Sequence, residues 1–285
     1  MLAKSPLGLL LGFCAAAFAA ELDLRQAPWQ GGVLIARVSP ANTVVEYAGR
    51  RLRTTPEGWF LVGLGRDAPE RIELILREAG GGVRSRPVPV RRRAYTEQRI
   101  DGLPPRQVEP DAAALERIRV EQRRIDAARA AADRPGGDFL SGFDWPAAGR
   151  ISGVYGSRRV LNGAPRRPHA GVDIAAPEGS PVYAPAPGVV RLAERDLFFT
   201  GGTVILDHGH GLTTLYAHLS RVDVEVGRRL ARGERLGAVG ATGRATGPHL
   251  HWGANWFGER LDPSLLVRPL EPARIGERVA PARRP

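Results

Sequence analysis

The chain has 285 residues, a formal net charge of +11, six histidines and one cysteine. This length suits two modest domains or one large one, and either can bury a hydrophobic core. A single cysteine excludes an intrachain disulfide, and the strongly basic balance favours an anionic partner.

Residues 1–19 have the composition of a cleavable secretory signal. Lys4 precedes an apolar run that starts at Leu7, and the small residues Ala17 and Ala19 define an expected cleavage point after Ala19. The run is shorter than the roughly 20 residues needed to span a bilayer, which disfavours an uncleaved anchor. We therefore expect an exported protein of the periplasm or cell envelope.

Cleavage at that point would leave a chain without lysine, in which arginines supply the positive charge. Loss of Lys4, the only lysine, lowers the formal charge from +11 to +10 (11 − 1). Nucleic acid is a poor partner for an exported protein, so the expected anionic partners are cell-wall acids or membrane head groups. A solvated basic surface without a specific partner is the alternative.

Residues 20–104 are predicted to form a small β-sandwich. Between Gln30 and Val90, short apolar runs such as GGVLIARV and RIELILRE alternate with turn residues, a spacing typical of strands of about six residues. The region contains no histidine, no cysteine and no glycine-rich phosphate loop. We interpret it as a binding, spacing or regulatory module.

A helical linker is predicted over residues 105–137. Pro110 and Asp111 mark its start, and a Pro-Gly-Gly run that begins at Pro135 marks its end. We expect one amphipathic helix with a solvated arginine face, and a contact of those arginines with a membrane or wall polymer is the alternative. Apolar residues recur there at intervals of roughly three and four positions: Leu115, Ile118, Ile125, Ala128 and Ala132.

The pattern returns to that of strands in residues 138–271, where valine, threonine, glycine and turn residues dominate. The predicted fold class is therefore mainly β: a small N-terminal β-sandwich, a connector α-helix and a C-terminal antiparallel β domain. Residues 272–285 have little to bury and are predicted to form a loose tail.

All six histidines fall in the predicted C-terminal domain. His169 precedes Asp173 by four residues in HAGVD, and a bend at the glycine between them would bring the two side chains together. His249 and His251 alternate in PHLH, so on a strand both face the same side. Two histidine nitrogens and one carboxylate oxygen make a zinc site whose fourth position is open to water. The spacing does not decide which histidine of the pair binds.

Three motifs in this order, HAGVD, LYAHLS and GPHLHWG, resemble the signature motifs of the M23 metallopeptidases, the lysostaphin and LytM-like peptidoglycan endopeptidases. The resemblance covers approximately residues 143–266 and implies a LytM-like antiparallel β domain. It also implies one Zn²⁺ per chain, bound by His169, Asp173 and His251. His218 and His249 would then be catalytic and act beside a zinc-activated water. The implied activity is hydrolysis of peptide bonds in peptidoglycan, in cross-links or stem peptides.

Other residues near these motifs carry weaker predictions. Arg244 and Thr246 precede the H-x-H strand and are predicted to contact substrate, with a surface turn as the alternative. His208 and His210, in DHGHG, fall outside the implied catalytic set, and we expect them at a turn or groove edge. Asn162 precedes the first implied ligand, and the resemblance suggests that it masks the fourth zinc position.

Two other classes of function compete with the enzyme. A LytM-like regulator would activate a separate wall amidase without doing chemistry, but such regulators typically lack zinc-site residues, and this chain retains all five positions. A wall-binding scaffold would make the basic β-sandwich the functional part. We therefore expect a zinc metalloendopeptidase that acts on peptidoglycan.

Overall fold

The structure is a computed structural model of the chain, and it describes residues 20–25, 27–102, 109–267 and 271–281. The predicted signal, residues 1–19, lies outside the described residues. Within the described ranges, no helix combines the length and the apolar character that a membrane crossing requires.

Seven strands at the start of the described chain form two antiparallel sheets. In β6, Ile72, Leu74 and Leu76 are buried in one core with Leu34 and Phe60, whereas the residues between them are more exposed. The two sheets therefore share a core, as the predicted β-sandwich requires. One sheet contains, in spatial order, β1 (Glu21–Leu24), β2 (Val33–Ser39) and β5 (Trp59–Gly63). The other contains β4 (Arg50–Arg51), β3 (Val44–Tyr47), β6 (Arg71–Arg77) and β7 (Val83–Pro89).

An eighth strand, β8 (Glu97–Ile100), connects this region to the rest of the chain. It pairs in parallel with β10 (Arg158–Leu161), and β10 pairs on its other side with the antiparallel strand β11 (Ala164–Arg166). The last strand of the predicted 20–104 module therefore belongs to a sheet that the downstream region completes. The domain boundaries stay predictions.

One α-helix is present in the described part of the chain, α1 (Ala112–Ala130). The Asp111 carboxylate caps its first turn by accepting a hydrogen bond from the Ala114 backbone N–H at 2.8 Å. Ile125 and Ala128 pack into a cluster of residues from the neighbouring strands: Leu192, Leu197, Ile205, Leu215 and Ala217. The connector helix is therefore docked along the C-terminal sheet.

An antiparallel sheet of nine described strands forms the centre of the C-terminal region. Eight of them follow one another in this order: β18 (Arg229–Leu230), β14 (Gly188–Leu197), β15 (Gly201–Asp207), β16 (Leu212–Leu219), β20 (His249–Trp256), β12 (Gly171–Ala175), β9 (Gly149–Gly153) and β22 (Arg278–Val279). The ninth, β21 (Glu259–Leu261), pairs with β20. Every residue of β15 and β16 is buried, so the middle of the sheet lies in the core.

Shorter elements complete the region. A small sheet contains, in spatial order, β13 (Pro181–Tyr183), β19 (Arg235–Ala238) and β17 (Arg221–Val222). Two 3-10 helices lie at Asp138–Ser141 and Pro263–Leu266. The predicted fold class, mainly β with a connector helix, is confirmed.

The described part of the predicted tail, residues 272–281, is not loose. β22 pairs with β9 through Arg278 and Val279, and Val279 is buried. The backbone N–H and C=O groups of β9 need partners on this side, and β22 supplies them together with one apolar side chain. The prediction of a loose tail is therefore wrong here, and residues 282–285 lie outside the described ranges.

His208 and His210 differ in their surroundings. His208 is fully buried; its Nδ1 donates to the Pro187 carbonyl at 2.7 Å, and its Nε2 bonds the Thr214 hydroxyl at 2.8 Å. His210 occupies a turn with φ 52° and packs against Phe139. Both histidines lie in the connection between β15 and β16, which agrees with the predicted turn. His208 is in addition a core residue, and two polar partners satisfy both of its ring nitrogens.

We predict that His208 makes folding stability depend on pH. Burial lowers its pKa from 6.5 to about 4. Between these values the unfolded chain binds a proton that the folded chain does not, so stability falls as the pH falls. The loss should be about 1.4 kcal/mol for each pH unit across this window.

His208→Gln, which does not titrate, should remove that part of the pH slope in denaturant unfolding. Above about pH 7 the free energies of unfolding of the unsubstituted protein and of His208→Gln should change with pH in parallel, because a histidine is neutral there in the folded and the unfolded chain. Equal slopes at lower pH would contradict the prediction.

Candidate metal centre

Two neighbouring strands bring an aspartate and a histidine face to face. β12 pairs antiparallel with β20, and Asp173 lies directly opposite His251 in this register. Cross-strand partners have Cβ atoms about 4.5–5.5 Å apart, so both side chains can reach one ion. Because alternate strand residues share a face, His249 lies on the same side as His251.

His169 reaches the same point from the segment that precedes β12. Its N–H donates to the Ser157 carbonyl and its own carbonyl accepts from the Gly156 N–H, both at 2.9 Å, which fixes this segment. At Gly171 the two strands pass so closely that a Cβ would lie 2.3 Å from the Trp252 carbonyl oxygen. The glycine of the HAGVD motif therefore permits the close approach that brings the site together.

The ligand-type atoms of His169, Asp173 and His251 converge on one point. His169 Nε2 lies 3.0 Å from Asp173 Oδ1, and His251 Nδ1 lies 2.8 Å from the same oxygen. The two nitrogens are 3.1 Å apart. A tetrahedral zinc ion with bonds of about 2.05 Å would separate its ligand atoms by about 3.3 Å. The spacing and the N, N, O donor set therefore fit Zn²⁺ better than an oxygen-seeking ion such as Mg²⁺.

Neighbouring groups orient two of these side chains. His169 Nδ1 donates to the Val154 carbonyl at 3.0 Å, so its Nε2 carries a free lone pair. Arg159 Nη2 donates to Asp173 Oδ2 at 2.9 Å, which leaves Oδ1 directed at the histidines. Outer hydrogen bonds of this kind fix the tautomer and orientation of metal ligands.

The protonation states of the cluster also suit a cation. Burial alone would raise the pKa of Asp173, but the charges and hydrogen bonds of His169 and His251 outweigh it and hold that pKa well below its usual value. Burial lowers the pKa of His251 to about 4. A carboxylate beside a neutral imidazole is the combination that binds a metal ion at neutral pH.

Two further histidines lie beside these atoms. The rings of His218 and His249 are 4.6 Å apart between centroids, and His249 Nε2 is 4.0 Å from Asp173 Oδ1. His218 Nδ1 donates to the Thr242 carbonyl and His249 Nδ1 to the Gly247 carbonyl, each at 2.8 Å. A carbonyl can only accept, so in the neutral form of each ring Nε2 is a proton acceptor.

His218 has an unusual backbone and a buried side chain. Its φ of 63° is rare for a residue with a side chain and is often found at functional sites. Burial, with smaller contributions from the neighbouring His249 and His251, lowers its pKa to about 3. The ring is therefore neutral at pH 7, the form that can take up a proton.

Arg244 and Thr246 line a cavity of about 290 Å³ together with Asp173, His218 and His249. Both residues are thus next to the cluster. This position is compatible with the predicted substrate contact, which stays a prediction.

Asn162 occupies the turn between β10 and β11, with φ 47° and its N–H donating to the Ile100 carbonyl at 2.9 Å. Arg159 of the same hairpin contacts the cluster through Asp173. Masking by Asn162 stays a prediction. Sequence reasoning missed Arg159, because nothing in SRRV distinguishes it from Arg158 and only the tertiary arrangement of the hairpin aims it at the carboxylate.

We predict that Gly171→Ala destabilises the fold by about 1–3 kcal/mol, because the new methyl group would push the strands apart. Chemical denaturation measures this loss. Gly258→Ala is the matched control, since a Cβ there meets nothing within 4 Å. Its effect should stay within about 0.5 kcal/mol. Equal stability of the two variants would contradict the close approach of these strands.

Residues 167–263 match the family described as Peptidase family M23. Peptidoglycan DD-endopeptidase ShyA of Vibrio cholerae is 44% identical over 104 residues, which are 36% of this chain and 24% of that protein. DD-carboxypeptidase/endopeptidase Mpg of Neisseria meningitidis is 42% identical over 120 residues, 42% of this chain and 27% of that protein. The chain therefore spans about a quarter of the length of these curated relatives.

A crystal structure from Pseudomonas aeruginosa assigned to peptidase M23 is similar over a much larger share of the molecule. It is 31% identical with a TM-score of 0.66, and the alignment covers 85% of this chain and 96% of that one. The likeness extends beyond residues 167–263 to most of the chain. With all three motifs in the matched order and their side chains in one cluster, the chain belongs to peptidase family M23.

Proposed function

We propose that the protein is an exported zinc metalloendopeptidase that hydrolyses peptide bonds in peptidoglycan. The observation that carries the proposal is the convergence of His169 Nε2, Asp173 Oδ1 and His251 Nδ1 within 3.1 Å, with His218 and His249 beside them. Relatives named peptidoglycan DD-endopeptidase and DD-carboxypeptidase/endopeptidase support this substrate class.

In this proposal His169, Asp173 and His251 hold one zinc ion per chain. Bound there, the ion supplies Lewis-acid chemistry that polarises a peptide carbonyl and activates a water molecule. Arg159 keeps the Asp173 carboxylate in place through Oδ2, and the Val154 carbonyl keeps the His169 ring in the binding tautomer. These contacts position the ligands before substrate arrives.

His218 and His249 perform the proton transfers. Each directs Nε2 away from the backbone carbonyl that holds its Nδ1–H, so each can accept a proton from the attacking water. Burial disfavours the charged form of His218, which makes a proton held there easy to return to the leaving amine. While it holds that proton, the histidine that took it up can donate from Nε2 and stabilise negative charge on the carbonyl oxygen. The two residues share these roles without a fixed allotment.

Location and partners follow from the same proposal. Residues 1–19 would direct export, and a mature chain with a formal charge of +10 (11 − 1) would adhere to anionic wall polymers or membrane head groups in the periplasm or cell envelope. Arg244 and Thr246 would contact the bound peptide from the wall of their cavity.

The alternative of a non-catalytic activator of a wall amidase is not favoured. Such a regulator has no need for a preorganised metal site. The chain retains both the candidate metal ligands and the two neighbouring histidines, and hydrogen bonds hold all of these in binding or proton-accepting orientations.

We predict that His251→Ala loses zinc and activity together, because it removes one of three ligand atoms. His249→Ala should keep zinc and lose activity by about 10²–10⁴-fold, the usual contribution of acid–base catalysis. Metal content measured after purification, beside hydrolysis rates, separates the two variants. Thermal unfolding controls for loss of the fold. A metal-free His249→Ala protein beside a zinc-loaded His251→Ala protein would reverse this assignment.

The function itself is tested on isolated peptidoglycan. The purified chain of residues 20–285 is incubated with it in the presence and absence of a zinc chelator, and the fragments are identified by mass spectrometry. We expect chelator-sensitive loss of cross-linked muropeptides or shortening of stem peptides, and no cleavage by the His218→Ala control. Intact substrate after incubation with zinc-loaded protein would contradict the proposal.

A further inference from the structure

Helix α1 forms part of the wall of a cavity of about 390 Å³ that reaches the candidate metal centre. Ile118, Ile125 and Arg129 of the helix line it, and so do His218 and His251. The helix lies upstream of residues 167–263, the region that matches the peptidase family. Part of the wall of this cavity is therefore built by helix α1 and not by residues 167–263.

Positively charged side chains dominate the lining of this cavity. Glu121 is the only acid that lines it within the described ranges, and its carboxylate is already engaged by Arg117 Nε at 2.6 Å and by the Phe198 N–H at 2.8 Å. The cavity thus has an excess of positive charge facing a bound ligand. Six arginines line it: Arg129, Arg159, Arg166, Arg167, Arg244 and Arg260.

Arg129 is the most unusual of these residues. Its side chain is only 8% exposed, and its Nε has no hydrogen-bond partner among the described residues. The carboxylate of Asp126 approaches its Nη1 only to 3.8 Å, beyond hydrogen-bond distance. Burial, reinforced by the charge of Arg260, lowers the pKa of Arg129 to about 9. A buried cation next to another cation is costly for the folded state and marks a site for an anion.

We propose that Arg129 and Arg260 form a subsite that binds a free carboxylate of the peptide substrate. Both residues line the same cavity, in which Arg260 is exposed and Arg129 is buried. The planar guanidinium of arginine presents paired donors that match the two oxygens of a carboxylate.

This inference rests on the proposed peptidase function, which decides between the possible anions. His218 and His251 line the same cavity as the arginines, so a ligand that fills it extends from the arginines to the site of hydrolysis. For a peptidase such a ligand is a peptide, and its carboxyl end carries a carboxylate. The protein should therefore prefer peptides with a free carboxylate close to the bond that is cut.

The test measures binding without turnover. The chelator-treated protein is titrated calorimetrically with N-acetyl-D-alanyl-D-alanine and with its C-terminal amide. We expect the free acid to bind at least tenfold more tightly than the amide. Arg129→Gln should abolish this preference, whereas Arg123→Gln on the exposed side of the same helix, with a side chain 68% exposed, should retain it. Equal affinity for acid and amide, or an unchanged preference in Arg129→Gln, would overturn the proposal.

Thermal unfolding separates ligand binding from a purely structural role. Because Arg129 lacks a full set of partners, Arg129→Gln should leave the unfolding temperature unchanged or raise it. Arg260→Gln provides a second variant at the more exposed position and should also weaken the preference for the acid. Lower unfolding temperatures in both variants would assign the arginines to the fold and overturn the proposal.

The outcome is independent of the peptidoglycan assay. A carboxylate preference in a protein that leaves peptidoglycan intact would retain the subsite and reject the proposed function. Cleavage of peptidoglycan by a protein without that preference would retain the function and reject the subsite.

Discussion

The pairing of β12 with β20 is the constraint on which the site depends. In its observed register Asp173 faces His251, and a slip by one residue would turn the side chains of one strand to the opposite face of the sheet. The alternate positions Ile174, Leu250 and Trp252 are fully buried. A slip that dispersed the ligand atoms would therefore also expose the core, so hydrophobic burial and the site geometry favour the same register.

Neutral backbone groups and the cation of Arg159 hold the positions of the described site residues. Backbone carbonyls fix the tautomers of His169, His218 and His249, and Arg159 fixes the carboxylate of Asp173. Carbonyls impose orientation without adding a titrating group. The ring nitrogens that face the centre are therefore held in the tautomer that can accept, while Arg159 offsets part of the negative charge of the ligand set.

Sequence patterns predicted the elements in which side chains repeat at a fixed interval along the chain. The two-residue period of PHLH placed His249 and His251 on one face, and the spacing of Ile125 and Ala128 indicated the helix. The role of Arg159 was not predictable, because a hairpin contact between distant segments has no local signal. The burial of His208 was not predictable for a related reason: its glycine-rich surroundings indicate the turn between β15 and β16, but its burial depends on remote partners such as Pro187.

The parallel pairing of β8 with β10 has a consequence for any shortened form of the protein. β8 comes from the upstream region, and its Gln98 lies beside Arg159 in the ladder. Removing residues 20–101 would leave one side of β10 with unpaired N–H and C=O groups, an open sheet edge that can recruit a strand from another molecule. In the intact chain β8 closes this edge, and it pairs with the same hairpin that supports Asp173.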